Sequence, residues 1–173
     1  LTNATAELAV ALMLAAARRI VEADAEVRRG EWERAAADQP IGRELVGATV
    51  GLVGFGRIGR RVSELLRGFE ARLLATSRSS GAPAPGVERV ELLDLLGASD
   101  FVSVHVPLAA ETRHLIDANA LAAMKRGAIL VNTSRGAVVD TTALIQALRE
   151  GTPDKAGAAP PFWPAGRSTG TRS

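Results

Sequence analysis

Six residues constrain this chain more than any others: Gly54-Phe55-Gly56-Arg57-Ile58-Gly59. They come directly after an apolar run, Thr49-Val50-Gly51-Leu52-Val53. Directly behind them Ile58, Val62, Leu65, Leu66 and Phe69 repeat at helical spacing until Gly68 and Glu70 end the pattern. In a chain with 17 glycines a Gly-x-Gly-x-x-Gly spacing alone says little. Between a strand and an amphipathic helix it has a mechanism. Gly54 permits the tight turn, Gly56 leaves room for a pyrophosphate to approach the backbone, and Gly59 lets the helix pack on the strand. The amides and dipole of the helix N-terminus then hold the phosphates. The expectation is a dinucleotide-binding turn.

The rest of the chain supplies the frame. Thr5 to Arg29 reads as one long helix of strong formers, with Leu8, Leu12, Ile20 and Val27 among its apolar positions and Gly30 as its stop. Glu31 to Glu44, around Trp32, is a polar connection. Further strands are expected at Arg72 to Thr76, at Phe101 to Val106 where Pro107 ends the run, and at Ala128 to Asn132. Helices are expected at Glu91 to Ala98, at Ala118 to Met124 and at Thr141 to Glu150, the last with Asp140 as N-cap. A Ser, Gly and Pro loop runs through Gly86. Strand and helix in alternation predict an α/β fold: a doubly wound parallel sheet of Rossmann type, incomplete, preceded by a long helix. From Gly151 to Ser173 the composition turns to Pro, Gly, Ala, Arg, Ser and Thr without a period, and a mostly disordered tail is expected. The domain reading is therefore 1–151 for the folded unit and 152–173 for the tail.

Composition removes competing classes. A length of 173 residues suits one domain, and a net charge of +2 with Arg and Glu interspersed gives no basic stripe for nucleic acid. With no Cys there is no disulfide, thiol nucleophile or Cys-ligated zinc, and with no Tyr there is no tyrosine acid. Two histidines, His105 and His114, do not make a His-rich metal site. Leu8 to Ala17 is as apolar as a signal-peptide core, but Glu7 precedes it and Arg18 and Arg19 follow it, so a buried helix is the better reading. No segment is long enough to span a membrane, and the cytoplasm is the expected compartment.

The second strand ends in Thr76-Ser77-Arg78-Ser79, where an acidic residue would ordinarily bond the adenosine ribose. An arginine flanked by hydroxyls suits a 2′-phosphate, and no carboxylate stands nearby to repel it. Ser77, Arg78 and Ser79 therefore predict NADP(H) over NAD(H).

Two further stretches carry information: Val102-Ser103-Val104-His105-Val106-Pro107-Leu108 with Glu111-Thr112-Arg113-His114-Leu115-Ile116, and Gly127 to Gly136 running on to Val139-Asp140. With the glycine turn and the Arg43-Glu44-Leu45-Val46-Gly47 lead-in, they resemble the D-isomer-specific 2-hydroxyacid dehydrogenases, closest to the glyoxylate and hydroxypyruvate reductase branch. The resemblance runs from Leu1 to about Gly151. It implies that Thr5 lies near the nicotinamide side of the cofactor and that Arg57 and Ile58 lie over the pyrophosphate. It implies that His105, Val106 and Pro107 line the cofactor ribose with Thr112 nearby, and that Thr133, Ser134 and Arg135 flank the nicotinamide. Arg135 falls at the family's catalytic arginine, and a planar, permanently charged guanidinium can hold a 2-oxo acid and polarise its carbonyl. His105 reads as a packing or cofactor-lining residue, and His114 as a residue without catalytic consequence. The resemblance also implies a homodimer and a small 2-oxo or 2-hydroxy acid as substrate.

The sequence departs from the family after Glu150. The family's acid is a histidine supported by a glutamate, and no His follows His114 and no Glu follows Glu150. Ala156-Gly157-Ala158-Ala159 echoes the start of the next strand, but Pro160 and Pro161 argue against a central strand there. The substrate-binding domain that precedes the long helix in the family is also not in this sequence. A fragment, or a coding sequence with a frameshift near residue 160, accounts for both. The expectation is a cofactor domain that is catalytically incomplete. A non-enzymatic dinucleotide-binding regulatory module and a non-functional remnant are the alternatives.

Overall fold

The computed structural model describes residues 1–31, 42–78, 84–153 and 155–158. Its frame is a six-stranded sheet in the order β3-β2-β1-β4-β5-β6, with every neighbouring pair parallel. The strands are β1 (Thr49–Val53), β2 (Arg72–Thr76), β3 (Val87–Arg89), β4 (Phe101–Val104), β5 (Ile129–Asn132) and β6 (Lys155–Ala158). The helices are α1 (Thr2–Ala17), α2 (Ile20–Arg28), α3 (Arg57–Leu66), α4 (Leu92–Ala98), α5 (Ala118–Ala122) and α6 (Thr141–Glu150).

Parallel strands buried on both faces read as near-continuous apolar runs, and β1, β4 and β5 do, with Thr49, Ser103 and Asn132 as their polar positions. Alternate side chains serve opposite layers. Val50, Leu52, Phe101, Ile129 and Val131 pack with Ala6, Ala9 and Met13 of α1 and Val62 and Leu66 of α3. Val53, Val102, Val104 and Leu130 pack on the other side with Leu95 and Leu96 of α4, Leu121 of α5 and Val138. Gly51 brings α4 onto β1: a Cβ there would lie 2.3 Å from Leu95 Cδ2 and 2.4 Å from Ser99 Oγ. At the opposite end of the sheet from the loops described below, Asp100 ties the strands together. Its Oδ2 accepts from the Thr49 amide at 2.9 Å and its Oδ1 from Lys125 Nζ at 3.0 Å. Burial acts to raise its pKa, but these two donors and the Arg43 charge together hold it below its ordinary value.

Three expectations need correction. The helix read from Thr5 to Arg29 is two helices, broken at Arg18-Arg19, where Arg19 takes φ +54°. The returning chain causes the break. Arg43 N–H donates to the Ala17 carbonyl at 2.9 Å, the oxygen that a continuing helix would offer to residue 21. Gly42 passes so close that a Cβ would lie 2.3 Å from the same oxygen. The second correction is β3, a three-residue strand in register with β2 through Leu73↔Val87, where the sequence had shown only a loop and the approach to a helix. The third is the tail: Lys155–Ala158 forms β6 on the outer edge of β5, with Ile129↔Lys155 through Asn132↔Ala158 in register. The connection around Trp32 and the tail beyond Ala158 lie outside the described residues. Among the described residues no helix is long and apolar enough to cross a membrane.

Candidate functional site

In a parallel sheet every strand ends at the same edge, and at the point where the order reverses the loops diverge to leave a crevice. Here that point is between β1 and β4, the two central strands, whose connections leave on opposite faces. The loops that carry the sequence-predicted residues follow β1, β2, β4 and β5, so the topology brings them to one edge.

The glycine turn is built as its spacing requires. Gly54 has φ +97°, and a Cβ on it would press on Val106 Cγ1 at 2.8 Å. Gly59 is buried in the first turn of α3, where a Cβ would lie 2.3 Å from the Gly54 carbonyl. Gly56, the N-cap of α3, differs from both: a Cβ there would meet nothing within 4 Å. The backbone over the helix N-terminus is therefore open, with Arg57 exposed beside it and Ile58 half-buried. That open cradle, at the positive end of a ten-residue helix, fits a dinucleotide pyrophosphate.

Hydrogen bonds tie the neighbouring loops to this turn. Gly54 N–H donates to the Thr76 carbonyl at 3.0 Å and His105 N–H to the Val53 carbonyl at 2.8 Å. After β4, Thr112 fixes the Pro107 segment: its hydroxyl donates to the Pro107 carbonyl at 2.6 Å and accepts from the Ala109 amide at 2.8 Å. The His105 ring joins β4 to β5, with Nδ1 3.2 Å from Thr133 Oγ1. Its Nε2 is buried without a hydrogen-bond partner among the described residues, and burial pushes the imidazole down to a pKa of about 4.

Asn132 organises the loop after β5. Its Oδ1 accepts from the Ser134 amide at 2.9 Å and the Ser134 hydroxyl at 2.7 Å, while its Nδ2 donates to the Arg135 carbonyl at 3.0 Å. The Arg135 guanidinium is left exposed, with one bond from Nη1 to the Ser134 carbonyl at 3.1 Å. It can reach an anion from there.

Thr5 turns its hydroxyl back onto the Leu1 carbonyl of its own helix at 2.9 Å. Ser79 lies outside the described residues. His114 sits by α6, its Nδ1 3.8 Å from Asp140 Oδ2.

The adenosine side holds a correction. A carboxylate does stand near Arg78: Glu111, from the short turn Ala110–Thr112 after β4, pairs with its guanidinium. The two are 33 positions apart, so no local reading could find the pair. Arg89 of β3 was missed for the same reason; its Nη2 donates to the Ser77 carbonyl. Asn132 had a signal in its place at a strand end, before Thr133-Ser134-Arg135.

The sheet order, the open glycine turn and the loops at one edge define a Rossmann-type dinucleotide-binding domain. Residues 10–158 match the D-isomer specific 2-hydroxyacid dehydrogenase NAD-binding domain, and the chain belongs to that family. A nicotinamide dinucleotide is its cofactor class. The glyoxylate reductase of Thermococcus litoralis is 52% identical over 158 residues, covering 87% of this chain and 48% of that protein. That of Aeropyrum pernix is 52% identical over 158 residues, covering 87% and 47%. A crystal structure of a Thermus thermophilus protein superposes with a TM-score of 0.85 at 46% identity, covering 96% of this chain and 53% of that one. The chain thus spans about half the length of the curated relatives it matches.

Proposed function

We propose that this chain is the NADP(H)-binding part of a reductase of small 2-oxo acids such as glyoxylate or hydroxypyruvate. The open backbone at Gly56, at the switch point of the sheet, carries the reading. The amides at the start of α3 hold the pyrophosphate under Arg57 and Ile58. Val106 and Pro107 line the ribose, and Ser77 and Arg78 take a 2′-phosphate. Thr133 and Ser134, set by His105 and Asn132, flank the nicotinamide, and Thr5 is assigned to the same end from family resemblance. Held by these residues, a nicotinamide dinucleotide would supply the hydride for reduction of the 2-oxo carbon. Arg135 holds the substrate carboxylate and polarises the carbonyl as charge develops on its oxygen.

His105 is not the proton donor. With a pKa of about 4 it is neutral near pH 7, and its Nδ1 is engaged with Thr133. No His follows His114 in the sequence, so the 173-residue polypeptide binds cofactor with negligible turnover by itself. The apolar residues exposed on α2, Ile20, Val21 and Val27, support a second copy as partner.

Thermal melts with each nucleotide test the proposal. NADPH at ~100 times its Kd contributes about 2.7 kcal/mol, a rise of about 5–10 °C for a domain of this size. A smaller shift is expected with equimolar NADH. No shift with either nucleotide would exclude a formed site; an equal or larger shift with NADH would remove the NADP(H) preference.

A further inference from the structure

We infer that Glu111 is a specificity-determining residue of the adenosine subsite: its carboxylate holds Arg78 across the cleft and competes with a 2′-phosphate for that guanidinium. The inference rests on the reading of Arg78 given above and adds a second residue to it.

The topology places the pair where it matters. Arg78 comes two residues after β2 and Glu111 lies in the first turn after β4, and β2 and β4 are the two neighbours of β1. An ion pair between them therefore spans the carboxyl end of β1, beside the glycine turn. Both ends are held from behind. The Ser77 carbonyl accepts from Arg89 Nη2, and Thr112, next to Glu111, is bonded to Pro107 and Ala109. The side chains themselves face solvent, 71% exposed for Arg78 and 54% for Glu111, so an entering nucleotide meets them.

A 2′-phosphate and the Glu111 carboxylate are both acceptor-only anions seeking the same donors. Seating the phosphate on Arg78 either displaces Glu111 or leaves two anions side by side, and both oppose binding. The 2′-hydroxyl of NAD(H) is uncharged and leaves the pair in place. Glu111 thus lowers affinity for the phosphorylated nucleotide alone and brings the two cofactors closer together than Arg78 by itself would. An exposed ion pair is weak, so the effect is modest.

Calorimetric titration of the 173-residue chain with NADPH and NADH tests this in a double-mutant cycle of Glu111→Gln and Arg78→Ala. The expected result is that Glu111→Gln tightens NADPH by about two- to fivefold, leaves NADH unchanged, and has no effect once Arg78 is alanine. If Arg78→Ala weakens NADPH selectively but Glu111→Gln moves neither nucleotide, or both alike, the role of Glu111 is overturned and the Arg78 subsite stands. If Arg78→Ala leaves the NADPH-to-NADH ratio unchanged, the subsite and the role of Glu111 fall together.

Discussion

Gly56 and Gly59 are three positions apart and answer to different demands. Gly59 has a neighbour inside the protein, the Gly54 carbonyl, which a Cβ would approach to 2.3 Å. Gly56 has no neighbour and an ordinary extended backbone, φ −81° and ψ −158°. Gly59→Ala should therefore cost about 1–3 kcal/mol of stability, read by denaturant unfolding. Gly56→Ala should leave unfolding unchanged and abolish the thermal shift with NADPH, because only a ligand needs that space. A Gly56→Ala protein that keeps the full shift would place the pyrophosphate elsewhere. His105 gives a second residue-scale test. Its folded pKa, about 4, lies below the ordinary 6.5, so the unfolded chain takes up a proton before the folded one does. Its contribution is complete above pH 6.5 and is lost as pH falls toward 4, by on the order of 3 kcal/mol in full. With two histidines in the chain, an NMR titration separates them readily. One imidazole should stay neutral to near pH 4, and two ordinary titrations would refute the burial of His105.

Among the elements, those that were legible in the sequence carry their own reason for existing. β1, β4 and β5 are nearly continuous apolar runs, α3 has its apolar positions at helical spacing, and Asp140 caps α6 through bonds to the Thr142 and Ala143 amides at 2.9 and 3.1 Å. What was not legible depends on a distant partner. Ala17 ends α1 because residues 42 and 43 arrive there, and no local signal at Arg18-Arg19 says so. β3 has one buried side chain, Val87, and is a strand because β2 offers it an edge. β6, Lys-Ala-Gly-Ala, has no large apolar residue, and its Gly157 lies under Leu12 of α1, at 3.6 Å from Leu12 Cβ for an added Cβ. The site divides the same way. Its glycines were legible because each acts through its own backbone, and Thr133, Ser134 and Arg135 because they directly follow an apolar strand. Arg89 and Glu111 were not, because their roles come from chain brought alongside by the sheet.

At the scale of the whole molecule, β6 decides whether β5 is an inner strand or an edge. β5 is buried along its length, pairs with β4 on one side and β6 on the other, and leads into the Asn132 to Arg135 loop. Without β6 its outer row of amides and carbonyls would be unpaired, beside side chains selected for burial on both faces. Such an edge recruits other strands. Part of the α1 face over Gly157 would be uncovered with it. A chain ending at Ala158 retains every described strand pairing, whereas one ending at Gly151 loses the β5–β6 pair. The shorter chain should melt lower, by about 2–4 °C for each kcal/mol lost, and should self-associate in light scattering where the longer one does not. It should also bind NADPH more weakly, since the loop that sets Arg135 hangs from the strand whose partner is gone. If the two chains melt together and scatter alike, β6 contributes nothing to the sheet, and the domain boundary belongs at Gly151 after all.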